Sequence, residues 1–165
     1  GIRDFCLSRG LGDVYKRQIE LAKQAETFDE VPIGAVIVLN GEIVAEGNNR
    51  KERDNSAISH AEIVALKNAN EKLGWYLSDC EMYVTLEPCA MCAGALINSR
   101  LKAVYFGAYD QKAGCCGTLY DLPTDKRFNH RLHVEGGILK DECAALLSEY
   151  FRKKRKKDSD IQGEK

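Results

Sequence analysis

The chain has 165 residues, 44% hydrophobic and 30% charged, with a net charge of −1. That length suits one domain with a real core, and the composition excludes disordered and fibrous classes. No apolar run approaches the roughly 20 residues of a membrane span and no cleavable secretion signal is visible, so a cytoplasmic protein is expected.

Residues 1–17 fit no regular element, because Gly10 and Gly12 break the pattern. They read as a non-native or variable N-terminal segment. Ile19, Leu21, Ala22, Ala25 and Phe28 recur at helical spacing and predict a helix over 19–28. The β-branched run Ile33–Leu39, the dipeptide Asn40-Gly41 and the stretch Glu42–Glu46 predict an antiparallel hairpin. A helix is expected from about His60 to Leu73, a strand over Met82–Leu86, and a helix opened by Pro88 that runs to about Ser99. Ala103–Phe106 reads as a fourth strand and Leu132–Glu135 as a fifth, separated by a long polar connection over 107–131. Connections of that length are functional or mobile. Asp141–Lys157 reads as a final amphipathic helix, followed by a frayed tail over 158–165. This order predicts an α/β domain over 18–157: three layers, α/β/α, around a mixed five-stranded sheet.

Seven cysteines, an odd number without a secretion signal, argue against a disulfide framework. Two of them carry a metal-ligand pattern. Cys89 and Cys92 lie three apart at the start of a predicted helix, which puts both sulfurs on one face. A helix N-terminus favours negative charge there and so favours the thiolate. His60 opens another helix and supplies a third donor, and three protein ligands with one open position is the pattern of a catalytic zinc site. Glu62, two residues beyond His60, is placed to move protons next to water activated by the metal. Cys80, Cys115, Cys116 and Cys143 have no ligand-like spacing and read as small buried or loop residues.

His-x-Glu followed by Pro-Cys-x-x-Cys is the known signature of the zinc deaminases, so the assignment from here is by resemblance. The chain resembles the bacterial tRNA-specific adenosine deaminases of the cytidine deaminase-like superfamily. The stretches that carry the likeness are 30–36 (EVPIGAV), Asn49-Arg50, 60–63 (HAEI), 85–95 (TLEPCAMCAGA), 129–131 (NHR) and 136–139 (GGIL). The resemblance implies a cytidine deaminase-like fold, one zinc ion per chain, and conversion of adenosine to inosine at the wobble position of a tRNA anticodon stem-loop. It also implies a homodimer in which both subunits touch RNA. By position it gives Asn49 a hydrogen bond to the purine or its ribose, makes Val31 and Pro32 a pocket wall, and has Leu86 and Glu87 support that wall. Asp110 and Asn129 are implied as RNA contacts near the target, and Arg152 and Lys153 as contacts on the terminal helix. Cys115-Cys116 departs from the small residues usual at that place.

Other observations bear weakly on RNA. Six consecutive basic residues, 152–157, exceed what a helix C-terminus needs to offset its dipole. Tyr109, Tyr120 and Phe128 offer stacking surfaces in the long connection. Two alternatives stay open on the residues alone. One is a deaminase of a free base or nucleoside such as guanine, cytosine or cytidine. The other is a zinc module that binds RNA without catalysis, against which the intact Glu62 speaks.

Overall fold

The computed structural model describes residues 10–163 of the chain. Its elements are α1 (Leu11–Glu26), β1 (Gly34–Leu39), β2 (Glu42–Asn48), α2 (Ala61–Leu73), β3 (Cys80–Leu86), α3 (Ala90–Asn98), β4 (Ala103–Ala108), β5 (His133–Glu135) and α4 (Lys140–Gly163). The sheet runs β2-β1-β3-β4-β5. β1 is antiparallel to β2 and β3, whereas β3, β4 and β5 are parallel. The β1–β2 hairpin turns on Asn40 and Gly41, both with positive φ (51° and 81°), as a two-residue Asn-Gly turn requires.

The period-2 alternation of the strands sorts the core into two faces. Ala35, Ile37, Met82, Val84, Val104 and Phe106 point to one side and bury against α2 and α3 through residues such as Ala65, Leu66 and Leu96. Val36, Val38 and Tyr83 point to the other side and meet Val14, Tyr15 and Leu21 of α1. Cys143, Leu146 and Leu147 of α4 cover Ala108 and Ile19 on that same side. The architecture is therefore α/β/α in three layers, with a mixed five-stranded sheet between helices.

The two ends of the chain differ from the sequence expectation. Helix α1 begins at Leu11, so the irregular segment does not extend to residue 17. Val14 and Tyr15 are buried, and Tyr15 lies edge-on to Tyr83 at 5.5 Å between centroids. Gly12 falls in the first turn, where backbone N–H groups have no helical partner and a glycine costs least. At the other end α4 continues to Gly163, although every residue from 151 to 163 is exposed. Good helix formers, with Lys154 and Lys156 four residues before Asp158 and Asp160, carry it outward.

Glycines let helices lie directly on the strands that lead to the site. A Cβ on Gly47 of β2 would stand 2.4 Å from the Ala61 carbonyl oxygen and 2.5 Å from the Ala65 nitrogen. Those are backbone atoms of α2, so the helix itself would have to move. Gly47→Ala is expected to destabilise the fold by about 1–3 kcal/mol. Because Ala61 sits between His60 and Glu62, the same change should displace both of those residues. Urea denaturation checks the stability, and a variant as stable as the parent would show that α2 is free to slide.

Candidate active site

The carboxyl ends of the parallel strands β3 and β4 open onto a crevice, the usual place for a ligand in an α/β sheet. Helices α2 and α3 both start there. His60 is the N-cap of α2 and Cys89 the N-cap of α3, both in extended backbone conformation, and neither side chain caps its helix. Ring and sulfur are therefore left for other work. Cys92 follows one turn into α3 and is fully buried.

His60, Cys89 and Cys92 bring their donor atoms within 4.8 Å of one another. His60 Nδ1 lies 3.6 Å from the Sγ of each cysteine. Zinc bonds of about 2.0–2.1 Å to nitrogen and about 2.3 Å to sulfur, at a tetrahedral angle, place N and S about 3.5–3.6 Å apart. The spacing fits zinc.

The charges fit it as well. A hydrogen bond from Cys92, helped by His60, pulls the Cys89 thiol down to about 4. The same Cys89–Cys92 bond, together with burial, pushes Cys92 far up. Proton affinity of the His60 imidazole is raised first by its bond to Cys89. Burial raises that of Glu62, which is 4% exposed in the first turn of α2. These groups together attract positive charge, and a divalent cation is what lets both thiols ionise at once.

A cavity of about 560 Å³ opens over this cluster. His60, Glu62 and Cys89 line it together with Val31, Ile33, Asn49 and Lys51. Leu86, Glu87, the stretch 109–113, and Leu147 and Phe151 of α4 complete the lining. Asn49 is 6% exposed, and its Oδ1 is buried without a hydrogen-bond partner. Among the residues expected from the sequence, Val31, Asn49, Leu86, Glu87 and Asp110 meet at this cavity. Pro32 is buried and is not among its lining residues, and Asn129 is exposed elsewhere on the long connection. Arg152 and Lys153 are also exposed outside it, ion-paired with Glu149 at 3.6 Å and Glu26 at 3.5 Å.

Lys51, Gln111, Lys112, Leu147 and Phe151 line the cavity and were not anticipated there. For Phe151 a signal existed: it lies four residues after Leu147 and shares its helix face. Nothing local marks Lys51, which reaches the cavity because the segment after β2 folds back beside His60.

A metal-type donor triad with a buried carboxyl beside it, under a cavity at the ends of parallel strands, is an arrangement suited to hydrolysis by metal-activated water. The profile of the MafB19-like deaminase family matches residues 12–155. A tRNA-specific adenosine deaminase of Bacillus subtilis is 50% identical over 143 residues, 86% of this chain and 89% of that protein. A solved tRNA:A34 deaminase, described as editing A to I at the wobble position of transfer RNA, superposes with a TM-score of 0.76 at 38% identity. The match covers 79% of this chain and 95% of that one. The guanine deaminase of Nitrosomonas europaea has a similar structure, with a TM-score of 0.68 at 28% identity over 82% of this chain and 81% of its own. This chain belongs to the tRNA-specific adenosine deaminase family.

Proposed function

We propose that the protein hydrolytically deaminates adenosine to inosine at the wobble position of a tRNA anticodon, using one zinc ion per chain. The observation that carries the reading is Glu62, buried beside the His60–Cys89–Cys92 triad and open to a cavity large enough for a purine. His60, Cys89 and Cys92 would hold the zinc, and when bound it would supply a water whose pKa is lowered to about 7, a nucleophile at neutral pH. Glu62 takes one proton from the attacking water as its oxygen bonds to C6 of adenine and passes that proton to the ring nitrogen. It then takes the second proton from the same oxygen as the C6 carbonyl forms and gives it to the exocyclic amine as the C6–N bond breaks, so that adenosine and water become inosine and ammonia. Asn49 Oδ1, an acceptor without a partner, is suited to bind the purine or its ribose, since a buried acceptor left unsatisfied costs about 1–3 kcal/mol. Val31 and Leu86 supply apolar walls for the flipped base, with Pro32 behind Val31 as support. An anticodon loop suits such a pocket because its bases are already unstacked.

In this reading Asp110 meets RNA at the cavity, and Asn129, Arg152 and Lys153 grip it outside. The chain acts as a homodimer in the cytoplasm. Among the described residues no helix is long and apolar enough to cross a membrane. The test is a panel: adenosine-bearing anticodon stem-loop, free adenosine, guanine and cytidine, each offered to zinc-loaded protein. Inosine should form from the stem-loop alone. Faster turnover of guanine or cytidine would move the assignment to a free-base deaminase, and no turnover at all would leave a binding module.

The terminal helix gives a separate prediction. Arg152, Glu149 and Lys153 are exposed and Glu26 is half-buried, and ion pairs at the surface are worth about 0–1 kcal/mol, so a phosphate displaces them readily. Changing Arg152, Lys153 and Arg155 to Gln should weaken stem-loop binding. It should also lower the slope of log K against log salt by about 0.7–0.9 for each phosphate that is no longer neutralised. Zinc content should not change. Affinities at several salt concentrations decide it, and identical slopes for parent and variant would show the basic run to be solvated only.

A further inference from the structure

Glu87 stands in the turn between β3 and α3, two residues before Cys89, and is 2% exposed. A carboxylate in the interior needs a cation or several donors. It has donors, and all of them come from one loop. Oε1 accepts the Asp110 N–H at 3.2 Å and the Thr118 hydroxyl, while Oε2 accepts the N–H groups of Cys116 and Thr118, both at 3.1 Å. The loop closes around it so tightly that a Cβ on Gly114 would lie 2.4 Å from Glu87 Cδ. Two backbone bonds tie the same segments: Glu87 N–H to Ala108 O at 2.8 Å and Cys115 N–H to Pro88 O at 2.9 Å. The stretch on the other side of this loop, 109–113, is a wall of the cavity.

We propose that Glu87 is a positioning residue rather than a substrate contact. Its carboxylate is the template on which the 108–118 loop is wound, and it holds that wall in register with the metal donors two residues away. The inference rests on the deaminase reading only for what the wall faces. Its acceptor capacity is consumed by the loop, which leaves little to offer a substrate. The arrangement also gives a reason for a buried acid where a glutamine of equal shape would fit: an amide presents N–H to at least one of the donors, and the loop would have to open there.

The test uses the full chain with zinc bound and the variants Glu87→Gln and Thr118→Val. Limited trypsin digestion reports the loop through cleavage after Lys112, which is exposed. In Glu87→Gln that cleavage should quicken by about tenfold or more, because local opening governs proteolysis. Zinc per chain should be unchanged. For the stem-loop, KM should rise by about tenfold while kcat falls by less than about threefold, the pattern of weakened binding. Thr118→Val should shift both readouts in the same direction by less, and the double variant should be no worse than Glu87→Gln alone, as members of one network behave. Unchanged Lys112 cleavage, loss of zinc, or a fall in kcat at constant KM would each overturn the proposal. Should Glu87→Gln fail to fold, Thr118→Val carries the same comparison, and a Thr118→Val variant identical to the parent overturns it. Proteolysis and zinc content need no substrate, so a parent enzyme inactive on the stem-loop would sink the functional reading and leave this one still tested.

Discussion

Replacing Glu62 by Gln is expected to lower the rate of inosine formation by at least about 10²-fold, with zinc and stem-loop binding retained. The two side chains have the same shape, so packing in the first turn of α2 should survive. What changes is proton chemistry. Glu62 is buried beside Cys92 and His60, and burial raises its hold on a proton. A group of that kind can accept a proton from the nucleophile and surrender it to the leaving amine, whereas an amide can do neither. Single-turnover inosine formation, elemental analysis and stem-loop affinity measured on one preparation separate the possibilities. Near-normal inosine formation would remove Glu62 from the mechanism. Loss of zinc would instead mean that the carboxyl serves the metal site.

Cys92→Ser should lose zinc, with affinity falling by at least about 100-fold. That exceeds the roughly 10–100-fold caused by disturbing residues that only orient ligands, since a donor itself is removed. Cys92 is fully buried and is not among the residues lining the cavity, so its replacement should reach the metal donors without altering the cavity walls. The start of α3 should loosen, because metal binding and local folding are linked. Cys116→Ser is the matching control. Cys116 is buried too, and burial raises its thiol, but its sulfur is not part of the donor cluster. The variant should keep its zinc. Full metal in Cys92→Ser would overturn the donor set.

Much of this molecule is legible in short stretches of chain, because the physics behind them is local. Asn40-Gly41 can take positive φ at both positions, so the hairpin follows wherever the chain ends up. Cys89 and Cys92 come together by their three-residue spacing at the start of α3, although Cys89 is its N-cap and Pro88 lies just before the helix rather than in its first turn. The unbroken apolar run of β1 suits a strand covered on both sides, and the order of helices and strands predicts the layers. The motif around His60 and Glu62 names its chemistry by residue type.

Only the tertiary structure decided the rest, since it depends on contacts between segments far apart in the chain. Propensity speaks against a helix at Gly10 and Gly12, yet α1 starts at Leu11 because Val14 and Tyr15 find buried places against the sheet and Tyr83. Tyr150 donates a hydrogen bond to the Asp29 carbonyl at 3.1 Å, and this docking brings α4 to the end of α1 and Phe151 to the cavity. The most instructive case is Glu87. From sequence it is one more acid beside a metal motif, and its neighbours along the chain do not include a single donor that it uses. Those donors arrive from residues 110–118, carried there by the parallel pairing of β3 with β4. Residue types and spacing determine which chemistry is available. Which side chains shape the space around it is decided by long-range packing, because a buried charge is tolerable only where distant backbone turns to meet it.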